Sequence, residues 1–180
     1  MADGLVAPAE APAARWRSAR GPATLLPVAE PLDLRVELEA LTRNLGAAAV
    51  PYAVCGGLAL AIHGHPRATR DIDVLTDPPN IDRLKAVART QGFVLEALPM
   101  TFRSSGITIH RLGRVRGNQV LTLDIVVADG VLEPVWQTRE RVESATGPVW
   151  VVSRQGLVTM KLAAGRPQDL ADLAHLEESS

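Results

Sequence analysis

Apolar residues recur along this chain at two spacings, and a change of spacing marks a change of element. From Leu32 onward, Leu34, Val36, Leu38, Leu41 and Leu45 follow the three-to-four residue repeat of an amphipathic helix, with Gly46 as its stop. Pro51 to Cys55 is a short apolar run of strand type, and Leu58 to about His63 predicts a short helix after the pair Gly56-Gly57. Asp71 to Leu75 opens a β-branched strand. Thr76 to Asn80 is a turn with Asn80 as helix cap, and Ile81, Leu84, Val87 and Ala88 form one helical face closed by Gly92. Phe93 to Leu98 and Ile107 to Leu112 are expected strands, with a hairpin turn at Arg116-Gly117-Asn118. Val120 to Val127, VLTLDIVV, is the clearest strand.

Beyond it, Asp129-Gly130 makes a turn, Leu132 to Glu143 reads as a short helix or an irregular connection, and Pro148 to Val152 is a last strand. Ser153 is placed to cap a helix that runs to about Ala164 and stops at Gly165, and Arg166-Pro167 starts a final helix. Strands interleaved with helices predict an α/β (α+β) fold, a small mixed, twisted sheet with flanking helices. Met1 to Pro31 shows no period and is rich in Ala and Pro. It reads as a disordered tail before a single domain over 32–180.

Composition narrows the function classes. With 180 residues, 47% of them hydrophobic, the chain can build one core. A net charge of −1 gives no global basic field, so nucleic acid would have to meet a local patch. Cys55 is the only cysteine, which leaves no intrachain disulfide and no Cys-based zinc site and suits a reducing cytoplasm. No secretory signal is evident. Asn44 to Pro66 carries no Lys, Arg, Asp or Glu over 23 residues, but Pro51, the glycine pair and two histidines break it into strand and helix, so no membrane span is expected.

The chemistry concentrates in Val54 to Leu75. Glycines at a strand-to-helix turn let the backbone approach a ligand, and the free N–H groups of a helix start suit phosphate. Asp71 and Asp73 stand two apart on a strand, so both carboxylates share a face, about 7 Å apart. Such a pair beside a phosphate-binding turn can hold one or two Mg²⁺ ions against a nucleoside triphosphate. Arg67 and Arg70 flank the pair, either balancing its charge or meeting phosphate oxygens. Asp124 sits mid-strand among apolar residues, where an unpaired carboxylate is costly, so it needs a metal or an ion pair with a nearby arginine. Arg103, His110, Arg111, Arg114 and Arg116 lie in the acid-free stretch 101–119, a candidate grip for an RNA backbone or a triphosphate. His63 and His65 stand in a loop without a third ligand and read as structural.

Gly56-Gly57, thirteen residues, then Asp71-Ile72-Asp73 resembles the signature of the nucleotidyltransferase (DNA polymerase beta-like) superfamily. The fuller string GGLALAIHGHPRATRDIDV is similar to the AbiEii-like toxin nucleotidyltransferases, as is SRQGLVTMKLAAGRPQDLADL near the C-terminus. The resemblance implies transfer of a nucleoside monophosphate from an NTP to a hydroxyl, with release of pyrophosphate. It makes Asp71, Asp73 and Asp124 a metal-binding triad for two Mg²⁺ ions, with Gly56 and Gly57 against the phosphates. It also gives Lys161 a triphosphate contact and Asp169 a supporting or catalytic part, although Gln168 stands where relatives often carry lysine. Without the resemblance, Lys161 is an ordinary helix lysine and Asp169 a helix-start acid.

The implied acceptor is RNA, such as the acceptor end of a tRNA, and the implied partner is a cognate antitoxin. Alternatives are a small-molecule enzyme of the aminoglycoside-modifying type, a protein-modifying enzyme, and a non-catalytic nucleotide-binding regulatory module.

Overall fold

The computed structural model describes residues 32–144 and 147–177. The tail expected over 1–31 lies outside the described residues. The order of elements is α1 (Leu34–Ala47), β1 (Ala53–Cys55), α2 (Gly56–Ile62), β2 (Asp71–Thr76), α3 (Ile81–Thr90), β3 (Leu95–Glu96), β4 (Met100–Thr101), β5 (Thr108–Arg116) and β6 (Gln119–Val127). There follow α4 (Glu133–Gln137), β7 (Glu140–Ser144), β8 (Gly147–Val151), α5 (Arg154–Ala164) and α6 (Pro167–Glu177).

The strands form one mixed sheet in the order β3-β5-β6-β2-β1-β8-β7, with β4 added along β5. At its centre β2 runs parallel to β6 and antiparallel to β1. Ile72, Val74, Leu123 and Ile125, all fully buried, stitch these strands to the core. Two helices cover the face of the sheet that carries His110, Leu112 and Arg114. One is α1, whose Leu41 and Leu45 are buried and whose Glu37 pairs with Arg114; the other is α3, through Leu84 and Ala88. Asp33 starts α1 by accepting from the N–H groups of Arg35 at 2.9 Å and Val36 at 3.2 Å. The opposite face carries Asp73, Asp124 and Arg111. It stays open as one wall of a cavity that α5 and α6 help to close.

The mixed sheet with flanking helices is the predicted fold class, and the local differences have physical reasons. Asn80 does not cap α3: its side-chain amide instead donates to Asp77 Oδ1 at 2.7 Å, holding a 3-10 turn over Pro78–Asn80. The expected strand at 93–98 shrinks to Leu95–Glu96, because Phe93 is drawn into the core and Val94 turns outward. Helix α2 begins at Gly56 itself, two residues early, because the glycines open the turn as part of the helix. Ser153 does cap α5, accepting from Gly156 N at 3.1 Å, and Gly165 ends it in a left-handed conformation at φ 63°.

Candidate active site

The glycine turn and the aspartate strand are built against each other. Cys55, the last residue of β1, lies opposite Asp73 in the antiparallel register, so the chain enters α2 directly over that carboxylate. Gly56 has φ +63°, and a Cβ there would stand 2.0 Å from Asp73 Oδ2 and 2.9 Å from Asp73 Cβ. A Cβ on Gly57 would come within 2.9 Å of both Thr69 Cβ and Thr69 Oγ1. Gly56 is therefore required for close packing onto the aspartate strand and Gly57 for close packing onto the segment just before it, whatever they bind. No side chain caps α2, so its first N–H groups carry no side-chain acceptor.

Gly56→Ala should cost about 2–4 kcal/mol, from left-handed strain plus overpacking. Gly57→Ala should cost less, since its backbone is not strained. Urea unfolding of the two variants checks this, and an unaltered midpoint for Gly56→Ala would remove the steric account.

Parallel pairing of β2 with β6 sets Asp73 beside Asp124 and Asp71 beside Thr122, all on the open face. Burial, then the neighbouring carboxylates of Asp124 and Asp71, push the Asp73 carboxyl up to about 6, against the opposing pull of Arg166 and Arg67. Asp124 is buried and clasped on both oxygens by Arg111, Nε to Oδ1 and Nη2 to Oδ2, each at 2.7 Å. Of the two readings left open for Asp124, the ion pair with a hairpin arginine is the arrangement found. Its two oxygens are engaged, and among the described residues no three His, Cys, Asp or Glu side chains converge as a metal set. Cys55 is no nucleophile, because full burial pushes its thiol well above the usual range.

The five hairpin cations do not form a common grip. Arg114 points to the opposite face and pairs with Glu37. His110, alternating with Arg111, is held toward its neutral form by burial and then by Lys85. Only Arg111 among them lines the cavity. The expectation of a five-cation RNA clamp fails because side chains alternate across a strand.

Lys161 is far from an ordinary helix lysine. Its side chain is 5% exposed, and Nζ donates to Asp172 Oδ2 at 2.5 Å and lies 3.6 Å from Asp169 Oδ1. Asp172 also accepts from Arg67 Nε at 3.1 Å, tying α5, α6 and the segment before β2 together. Arg166 clasps Asp169 through Nε at 2.7 Å, Nη2 at 3.2 Å and its own backbone N–H at 3.2 Å. Burial would raise the Asp169 carboxyl, but Arg166 and Lys161 outweigh it and hold it below the usual range. Asp172 and Arg166 are the members that sequence reasoning missed. Their signal was position: Asp172 stands one helical turn beyond Asp169, where its carboxylate faces the same way.

These groups surround a cavity of about 610 Å³. Gly56, Gly57, Asp71, Asp73 and Asp124 line it together with the apolar Met100, Phe102, Ile109 and Met160, and Arg67, Arg70, Lys161 and Arg166 add positive charge. His63 stands apart: its Nε2–H donates to the Val152 carbonyl at 2.8 Å, a structural role.

The model of the family described as nucleotidyl transferase AbiEii toxin, type IV TA system, matches residues 39–180. No curated protein sequence matches the chain. Among solved structures, a protein from Thermotoga maritima described as a nucleotidyltransferase is similar at 18% identity and a TM-score of 0.57, over 82% of this chain and 93% of that one. A nucleotidyltransferase-type protein from H. pylori is similar at 17% identity and a TM-score of 0.45, over 71% of this chain and 56% of that one. ANT(2'')-Ia, solved in complex with adenylyl-2''-tobramycin, is similar at 16% identity and a TM-score of 0.46, over 74% and 78%. No helix among the described residues is long and apolar enough to cross a membrane.

Proposed function

This chain belongs to the AbiEii family of nucleotidyl transferase toxins of type IV toxin–antitoxin systems, and from that premise we propose that it transfers a nucleoside monophosphate from an NTP to a hydroxyl of RNA, with tRNA as the candidate acceptor. Family membership brings an NTP as substrate and an antitoxin as partner. The observation that carries the reading is the register of β2 on β6, which sets Asp73 beside Asp124 on the cavity wall next to the uncapped start of α2. Burial first, and then the neighbouring charges of Asp124 and Asp71, raise the Asp73 carboxyl to about 6, as expected of a site that would accept a cation. All-oxygen donors suit Mg²⁺.

Asp71 and Asp73 would hold the divalent ion, with Asp124 completing the set when it is free of Arg111. The ion would supply Lewis-acid stabilisation of phosphoryl oxygens and acidify the attacking hydroxyl. The N–H groups at Gly56 and Gly57 would receive phosphate oxygens, and Arg70 and Arg166, both on the cavity wall, would balance the remaining triphosphate charge. Lys161 and Arg67, held by Asp172, would present fixed positive charge without reorganising. Phe102, 47% exposed in the cavity lining, offers a nucleic-acid base a ring to stack on, and Arg103 beside it is exposed.

Incubation with each α-labelled NTP, Mg²⁺ and total RNA, beside an Asp71→Ala/Asp73→Ala variant, tests the reading. Label on tRNA-sized RNA with the unaltered protein only is the expected result. NTP bound in a Mg²⁺-dependent way but no label on RNA would sink the RNA acceptor and point to a small-molecule or protein hydroxyl. Binding without any turnover would favour the non-catalytic module.

A further inference from the structure

Two carboxylates at the α5–α6 end of the site are secured by more than one group, whereas Asp124 depends on a single side chain. Asp172 holds both Lys161 and Arg67, and Asp169 keeps Lys161 and a backbone N–H even if Arg166 moves. The Asp124 side chain is 8% exposed and is satisfied by Arg111, whose own side chain is 45% exposed. The pair therefore joins a buried acid to a cation that can leave for solvent or for the cavity without disturbing the core.

We propose that Arg111 is an internal counter-ion that occupies Asp124 in the free protein and must give it up before the third carboxylate can join a divalent-cation site. The inference rests on the nucleotidyl-transfer reading of the same cavity. Electrostatics explain why a placeholder is needed. Asp124 stands in register with Asp73, and a buried carboxylate beside another is costly without a cation. The bidentate fork supplies that charge and occupies both oxygens of Asp124. Among the described residues the three aspartates do not converge as a metal set while the fork is in place.

The arrangement also suggests what releases the fork. Arg111 lines the cavity that a triphosphate would fill, so phosphate oxygens offer the guanidinium a second anion of the same bidentate geometry. Arg111 exchanges one charge-assisted pair for another when it leaves for phosphate, and the divalent cation that arrives with the nucleotide takes over the positive charge that buried Asp124 needs. Arg111 thereby couples completion of the carboxylate set to the arrival of nucleotide. By linkage, divalent cation and nucleotide should each tighten the other's binding.

Binding of Mn²⁺ alone, followed by the loss of its free electron paramagnetic resonance signal, tests the competition without requiring activity. Four proteins are compared: unaltered, Arg111→Gln, Asp124→Asn and the double variant, each checked for folding by its melting curve. Arg111→Gln should bind Mn²⁺ about ten- to a hundredfold more tightly, the range of a charge-assisted hydrogen-bonded pair. That gain should vanish in the Asp124→Asn background.

A gain that persists without Asp124 would overturn the proposal, since Arg111 would then act only through its field. So would weaker or unchanged Mn²⁺ binding in Arg111→Gln, which would make Arg111 the residue that orients Asp124. Failure of every protein to bind Mn²⁺ would overturn the metal reading of the cavity itself, an outcome separable from failure of the counter-ion. As a second readout, a non-hydrolysable nucleotide should tighten Mn²⁺ binding to the unaltered protein and have much less effect on Arg111→Gln. Equal tightening in both would remove Arg111 from the coupling.

Discussion

Asp73→Asn is expected to abolish nucleotidyl transfer and, at the same time, to make the metal-free protein more stable. The two effects have one cause. Asp73 ionises near 3.8 in an unfolded chain and at about 6 in the fold, raised by burial and by the charges of Asp124 and Asp71. The folded state therefore holds the extra proton, and stability falls as pH rises from about 4 to about 6. Above pH 6 the penalty is present in full; below pH 4 it has gone. Asparagine imitates the protonated form, so at pH 8 the variant should regain about 1–3 kcal/mol, allowing for partial solvent screening. For a chain of this size that corresponds to a melting temperature higher by roughly 2–10 °C.

The variant loses the charge that would hold a divalent ion, and transfer should drop by roughly 10³-fold or more. Mg²⁺ should raise the melting temperature of the unaltered protein at pH 8 and leave the variant almost unmoved. Thermal melts at pH 5 and pH 8, with and without Mg²⁺, read all of this beside the labelling assay. Transfer retained within tenfold, or a lower melting temperature at pH 8, would refute it.

How far the sequence could reach is clearest on β5 and β6. The turn at Gly117-Asn118 is visible in the sequence, and counting back equally along the two strands from Arg116 and Gln119 puts Arg111 opposite Asp124. Register was thus legible from turn chemistry, and with it the ion pair. Alternation was legible too. It separates Arg111 from His110 and Arg114, so counting the hairpin cations together ignored a face assignment that the strand already implied.

The glycine pair and Asp71-Ile72-Asp73 were legible as chemistry but not as packing. That Gly56 leaves no room for a Cβ against Asp73 follows from the antiparallel pairing of β1 with β2, a tertiary fact. Asn80 failed as a cap because its Oδ1 accepts from Arg83 Nη1 while its amide N–H donates to Asp77, and a local rule cannot rank such competing partners. Asp172 was hidden for a further reason, and Lys161 stood out only through the family resemblance. Each looks like a solvated helix residue until α5 folds onto α6 and buries both.

That burial leads to the second large effect. Asp172→Ala should cost about 3–5 kcal/mol, because it strands Lys161 inside the protein with Asp169 only at 3.6 Å and deprives Arg67 of its acceptor. Asp172→Asn should cost less, since the amide oxygen can still accept from one of them. Loss of transfer in either variant is ambiguous by itself, as a collapsed α5–α6 contact would also empty the cavity wall. The discriminating protein is Lys161→Met/Asp172→Leu. Replacing both members of a buried pair with apolar side chains of similar volume removes the stranded charge, and Arg67, whose side chain is 27% exposed, can turn to water. Most of the stability should return, as urea unfolding would register, while transfer stays at least roughly 10²-fold down because the fixed cation at the cavity has gone. Transfer recovering together with stability would make Lys161 and Asp172 a structural clasp and nothing more. Stability recovering alone assigns Lys161 to the chemistry and makes Asp172 the residue that holds it in place.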